Sequence, residues 1–428
     1  MLIDKNDIIL LILQVQDRGF VRMYKRRFPK FELASPKYYS EMLDPVYQKV
    51  KLLVKKQIQE DNPEAIAISL DGWSQYHNNF LGVNIHYIDK NWARRKFNIS
   101  MQKFNTSHTS MNIKERVQEI TEDFDITSKV KTALRDNAAN VAGAFKGNDS
   151  KIKGIPCLAH TLQLVINDEV FQMASVKTLL KKCRDLCSFA NRSTDFYTEL
   201  KKQELIQINI GESDFLNLPH SDTATRWNSS YYLVERVLKL KPALVSVLAS
   251  KVGQRSEIEF QNSDWELMEK IQRCLSNFES ATKTLQYKDA SISVYIPVVF
   301  TIIDDLENIT SEDQGIKTMK RDLLANMRRR FHDIENHDEY VIATYLDPRW
   351  KGAFFRKSSS MERARSFLKE KMKQEVEESL NVTDKSESDP FLNNESGNSE
   401  NSFEKKLSAR IKSQAQHIQI DDLEFSNK

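Results

Sequence analysis

Two aspartates frame the chemistry this chain could perform. Residues 67–74 read AISLDGWS, an apolar run of strand character that closes on Asp71, Gly72 and Trp73. Residues 130–145 read VKTALRDNAANVAGAF, where a short strand is expected to end near Asp136 and a helix to begin at Ala138. A carboxylate packed against a core must be paired, hydrated or bound to a cation. If the two strands are neighbours, their terminal carboxylates lie side by side and repel unless a cation sits between them. A hard divalent ion, Mg²⁺ or Mn²⁺, suits such oxygen donors and keeps part of its water. A pair of such ions, roughly 3.5–4 Å apart, steadies the attacking and leaving oxygens of a phosphate ester. The plainer alternative makes both aspartates turn or cap residues, and spacing alone does not decide between the two.

Two further stretches carry functional residue types. GIPCLAHTLQLVINDEVF (154–171) repeats the strand-then-helix form and brings Cys157 and His160 within one turn of each other. A zinc site from Cys157, His160, Cys183, Cys187 and His220 is imaginable, but Cys183 and Cys187 fall on a helical apolar stripe with Val176, Leu179, Leu180, Leu186 and Ala190, where buried free cysteines are common. Zinc is therefore not expected. TATRWNSSYYLVERV (223–237) holds Arg226 and Trp227, the latter either a core aromatic or a stacking platform.

The elements that must position these residues follow from periodicity. Residues 1–62 read as helices with a proline break, and Val46, Val50, Leu53, Val54 and Ile58 recur at helical spacing. Three β-rich runs follow, AIAISLDGW, FLGVNIHYI and KFNISMQKF, joined by short polar loops as in an antiparallel meander. A helix is expected over 110–124, then the two strand–helix units. This order, βββαβαβα, is how an RNase H-like α/β domain begins. We therefore expect a first part of that core over 63–168. Residues 169–340 read as an all-α insertion, with a capping-box pattern at Ser263 and Glu266. Residues 341–380 are expected to return to the core, YVIATYLDPRW (340–350) to its sheet, and to end in a helix. Residues 381–428 have the polar, acidic composition of a disordered tail.

Composition excludes little beyond this. The 428 residues are 40% hydrophobic and 29% charged with a net charge of +3, which does not by itself announce nucleic acid. Basic clusters at 24–30, 93–96 and 327–330 are expected to be solvated surface. The apolar run IILLILQV (8–15) is too short to span a bilayer and has no cleavage site behind it, so no membrane partner is expected. Four scattered cysteines, 157, 183, 187 and 274, make no disulfide framework and point to a reducing compartment.

Taken in order, SLDGWS, LRDNAANVAGAF, IPCLAHTLQLVINDEV and TATRWNSSYYLVERV resemble transposases of the hAT superfamily and the zinc finger BED-type host genes derived from them, over most of residues 19–352. The resemblance implies an RNase H-like core interrupted by a long helical insertion. It implies that Asp71 and Asp136 are the first two metal-binding acids of an Asp-Asp-Glu triad, and that Cys157 and His160 form the Cys-x-x-His motif beside the active site. It also implies that Arg226 and Trp227 handle the DNA end, the arginine at a phosphate and the tryptophan on an extruded base, where stacking contributes roughly 1–3 kcal/mol.

The departures matter as much. The family's third acid lies in a Ser-Glu-Arg helix of a C-terminal dimerisation region, which is not found here; Glu362 in SMERAR follows too closely on Trp350. The BED finger needs a Cys-x-x-Cys, and the chain has none. Arg135 stands where relatives carry a small hydroxyl residue and would put a cation near the metal site. The expectation is a nuclear, transposable-element-derived protein, DNA-binding or transcription-related and catalytically inactive, either monomeric or dependent on another transposase-like copy. Three alternatives stay open: a fragment of an active metal-dependent DNA transposase, a protein-interaction module without DNA binding, and a decayed product that folds poorly.

Overall fold

The computed structural model describes residues 15–75, 78–146, 151–208, 218, 226–250, 258–287 and 290–383. Expectations for the apolar run before Val15, for His220 and for the tail beyond Thr383 lie outside these. Residues 1–361 form one compact unit and 362–428 a second.

Two helices open the chain, α1 (Arg18–Arg27) and α2 (Pro36–Asp61). Asp17 and Ser35 cap them, their side chains accepting from Phe20 and Tyr38 backbone N–H groups. Of the expected apolar stripe on α2, Ile58 is buried and Val54 packs against the core, whereas Val46, Val50 and Leu53 are exposed. Only the C-terminal end of that helix reaches the sheet.

The sheet follows as β1 (Ile66–Gln75), β2 (Asn78–Ile88) and β3 (Arg94–Lys103), then β4 (Val130–Arg135) and β5 (Lys153–Pro156), in the order β3-β2-β1-β4-β5. The first three strands pair antiparallel, and β4 and β5 join parallel to β1. Alternation puts Ile66, Ile68, Val83, Ile85 and Tyr87 on one buried face. Onto it packs α3 (Ser110–Asp123), whose Ile113, Val117 and Ile120 are buried at helical spacing. A short α4 (Ala139–Ala144) lies against α3. Gly143 permits this approach, since a Cβ there would collide with the Ser110 hydroxyl.

After β5 the described chain is helical. α5 (Leu158–Ile166) runs into a π-helical turn at Asn167–Phe171, followed by α6 (Ala174–Arg192) and α7 (Thr194–Gln203). Then come α8 (Trp227–Lys239), α9 (Lys241–Leu248), α10 (Asn262–Gln286), α11 (Tyr295–Asn308) and α12 (Gln314–Phe331). Two helices close it, α13 (Asp338–Leu346) and α14 (Ser358–Thr383). Cys183 and Cys187 are buried on the apolar side of α6.

Two local expectations are corrected. The capping box of α10 is built from Gln261 and Asp264, not Ser263 and Glu266, because the helix starts at Asn262. Residues 340–350 do not return as a strand: they form α13 and a turn, in which Asp347 accepts from Ser293 Oγ at 2.7 Å and from Arg349 Nη2 at 2.7 Å. Apolar and β-branched content alone does not separate a short strand from a buried helix. The segment still meets the sheet unit, through an ion pair between Lys153 of β5 and Glu339.

Candidate functional site

Asp71 lies within β1, not at its end, because the antiparallel pairing with β2 continues through Asp71↔Gly82 and Trp73↔Phe80 to Gln75↔Asn78. Trp73 and Phe80 hold that extension by stacking, ring centroids 5.2 Å apart. The parallel pairing with β4 stops earlier, at Ser69↔Leu134. Asp71 stands two residues past Ser69, and Asp136 two residues past Leu134. The register therefore carries both carboxylates to the same level, just where β4 ends.

Electrostatics agrees with this placement. The Asp71 residue is exposed, yet the atoms crowded about its carboxyl raise its pKa. Arg226 opposes that rise, Asp136 adds to it as a like charge, and His160 also opposes it. Two acids, a guanidinium and an imidazole thus share one neighbourhood, drawn from β1, the β4–α4 turn, the start of α8 and α5.

Each partner is fixed locally. Asp136 Oδ1 accepts from the Ala138 N–H at 3.0 Å, an Asx turn that launches α4. Asn137 Nδ2 donates to Thr161 Oγ1 at 2.7 Å, and Thr161 Oγ1 donates to the Cys157 carbonyl at 2.9 Å. The Cys157 N–H in turn donates to the Arg135 carbonyl at 2.7 Å. These bonds lock the segment bearing Asp136 to the helix bearing His160. That helix, α5, packs against α10 and α12, and its Leu158 N–H donates to Tyr295 Oη at 3.3 Å. Nothing in the sequence marks this last contact, which joins residues 137 positions apart. Cys157 occupies the N-cap position of α5 and lies near the Tyr295 and Tyr340 hydroxyls, both pushed to high pKa chiefly by burial.

Arg135, expected to put a cation near the two acids, lies beside Asp136. Its Nη1 donates to the Asp136 carbonyl at 2.7 Å, and the rest of the guanidinium is buried beside Gly154 and Tyr340, where desolvation lowers its pKa. The cation facing Asp71 is Arg226. Trp227 separates from its neighbour: Arg226 is exposed, while Trp227 is 2% exposed and packs edge-on against Tyr231, centroids 5.8 Å apart. A ring so enclosed offers no face to a base, so here Trp227 is a core aromatic and its expected stacking role is not what it is placed to do. Its indole N–H finds no acceptor among the described residues.

Comparison with known proteins bears on the same segments. A family model described as the ZBED1 RNase-like domain matches residues 69–153, and one described as the ZBED1 RNase-like helical domain matches residues 155–274. Human zinc finger BED domain-containing protein 4 is 24% identical over 372 residues, covering 83% of this chain and 30% of that protein. A maize protein that carries the AC transposase name is 23% identical over 353 residues, covering 78% of this chain and 42% of its own. A Talaromyces stipitatus protein named as a transcriptional regulator is 23% identical over 327 residues, covering 68% and 36%. These matches support a hAT-transposase-derived, BED-like protein. The chain spans about a third of the length of these relatives. The boundary between the two matched models falls within β5, so Asp71 and Asp136 lie in the first and His160, Arg226 and Trp227 in the second.

Among the described residues no group of three His, Cys, Asp or Glu side chains could hold an ion. Asp71 and Asp136 are two hard oxygen donors, the ligand type that Mg²⁺ and Mn²⁺ take. They do not make up a closed three-acid centre. No described helix is long and apolar enough to cross a membrane.

Proposed function

We propose that this chain is a nuclear DNA-binding protein of transcriptional control, built on a hAT core with a helical insertion, and that residues 1–428 bind DNA ends without cutting them. The observation that carries this reading is the placement of exposed Arg226 against the Asp71–Asp136 pair. A phosphate arriving there meets a guanidinium whose planar fork matches its oxygens. Asp71 and Asp136 would hold a Mg²⁺ or Mn²⁺ ion, which when bound would supply charge stabilisation at phosphoryl oxygens. The Asn137–Thr161 bond ties the turn bearing Asp136 to the helix bearing His160. Cleavage depends on positioning by a full acid set, and the described residues bring only two acids together. The names of the relatives, transposase and transcriptional regulator, point the same way. A protein partner or another transposase-like copy fits a chain that spans a third of its relatives.

A second reading, part of an active transposase, is favoured by that same coverage of 30–42% of the relatives. A gel-shift and nicking assay on hairpin and linear ends in Mg²⁺ and Mn²⁺, run with Asp71→Ala and Arg226→Ala, separates the two. We expect a shift that Arg226→Ala weakens, and no nicking. Nicking lost in Asp71→Ala establishes the second reading, and absence of any shift overturns DNA binding.

A further inference from the structure

We infer that α1 is a phosphate-backbone clamp for duplex DNA, formed by Arg18, Arg22, Lys25 and Arg26. The inference deepens the DNA-binding reading above and rests on it. At 3.6 residues per turn these four positions fall within an arc of about 100° on one side of the helix, spread over about 12 Å of its length. They line one open surface depression together with Gln16 and Val21.

What distinguishes this cluster is that no acid among the described residues answers its charge. The arginines at 327–330 are engaged: Arg328 pairs with Glu307, Arg330 with Asp168 at 2.7 Å, and Arg329 donates to Asn326 Oδ1 at 3.0 Å. In the cluster at 93–96, Arg95 pairs with Asp89 at 2.8 Å and Arg94 donates to the Ala290 carbonyl at 3.1 Å. None of Arg18, Arg22, Lys25, Arg26 or Arg27 bonds or pairs with an acid among the described residues. The neighbouring acid, Asp17, is occupied as the helix cap.

Helix stability does not explain the pattern. Cations in the last turn, Lys25, Arg26 and Arg27, complement the helix dipole, but Arg18 at the first position opposes it. Nor does packing, since α1 buries none of its residues. The opposite side carries a short aromatic ladder, Phe20 on Tyr24 at 6.1 Å and Tyr24 on Phe28 at 5.0 Å, with Phe31 folded back on Tyr24 at 5.9 Å. That ladder stiffens the helix and holds its cations in a row. A regular row of unanswered cations matches a regular row of phosphates, which duplex DNA presents every 3.4 Å or so along each strand. A lipid surface would ask for a longer apolar face than ten residues supply.

The test measures binding of a mixed-sequence linear duplex by fluorescence anisotropy between 50 and 200 mM salt. The full chain is compared with Arg18→Gln/Arg22→Gln/Lys25→Gln/Arg26→Gln, with the charge-keeping Arg18→Lys/Arg22→Lys/Arg26→Lys, and with the control Arg321→Gln/Arg328→Gln, whose arginines pair with Asp322 and Glu307. Each phosphate contact contributes about 0.9 to the slope of log K against log salt, so the neutral variant is expected to lose about 3–4 from that slope. The lysine variant and the control should keep it. Circular dichroism melts that overlay the wild type show that the variants fold. If the wild type binds and the neutral variant keeps its slope, the clamp is wrong and DNA binding lies elsewhere. If the wild type does not bind, both readings fall. Binding of phosphatidylserine vesicles that depends on the same four residues, in place of DNA, also overturns the inference.

Discussion

Asn137 Nδ2 donates to Thr161 Oγ1 at 2.7 Å, and through that bond the turn bearing Asp136 is tied to the helix bearing His160. Thr161 is 9% exposed, so no water easily replaces it. Thr161→Val keeps the shape and removes the acceptor, leaving the Asn137 amide unpaired. We expect a loss of about 1–2 kcal/mol in urea unfolding. Asn137→Ala in the valine background should cost little more, because the two residues act as one pair. Additive losses would show that the bond does not hold the turn.

Trp227 separates a structural from a DNA-contacting role. As a buried ring, Trp227→Ala should lower stability by about 3–5 kcal/mol. Trp227→Phe should cost less, since it also removes an indole N–H that lacks an acceptor among the described residues. A Trp227→Ala protein that melts like the wild type but no longer shifts DNA would restore the stacking role.

Asp71 is expected to be a burden on the fold. Its folded pKa is raised above the ordinary 3.8, so the folded chain holds the proton more tightly than the unfolded chain. The stability linked to that proton is complete below pH 3.8 and is lost as pH rises through the folded value. Asp71→Asn should therefore melt no lower than wild type at pH 7, and the two curves should converge toward pH 4. A variant clearly less stable at pH 7 would mean that the contact with Arg226 outweighs desolvation.

His86 works in the opposite direction. Its Nε2 lies 3.0 Å from Ser69 Oγ, and burial with help from Lys96 and Arg94 lowers its pKa from 6.5 to about 4. The ring is neutral at pH 7. Its contribution is complete above pH 6.5 and is lost as pH falls through 4, about 2 kcal/mol for a partly solvated group. Denaturant midpoints from pH 7 to 4 should fall more steeply in wild type than in His86→Gln. Parallel curves would remove His86 as the cause.

Much of this protein was legible in its residues because periodicity is local. Ile66 and Ile68 alternating in β1, and Ile113, Val117 and Ile120 on one side of α3, announce their elements without help from distant contacts. The two acids could be singled out for the same reason: each interrupts an apolar run, although β1 itself continues past Asp71 to Gln75. Residues 340–350 were misjudged because apolar and β-branched content does not choose between a strand and a buried helix. That choice was made by the Asp347 contacts with Ser293 and Arg349 and by packing in the helical block. Sequence also could not tell which cation faces Asp71. Arg135 is adjacent to Asp136 in the chain, but strand alternation and the space beside Gly154 take its guanidinium into a buried corner. Arg226, 155 positions from Asp71, is brought into its neighbourhood only by the fold of the helical block. Local pattern fixes which residues form each element; long-range packing decides which charges meet, since a Coulomb interaction depends on separation in space and carries no trace along the chain.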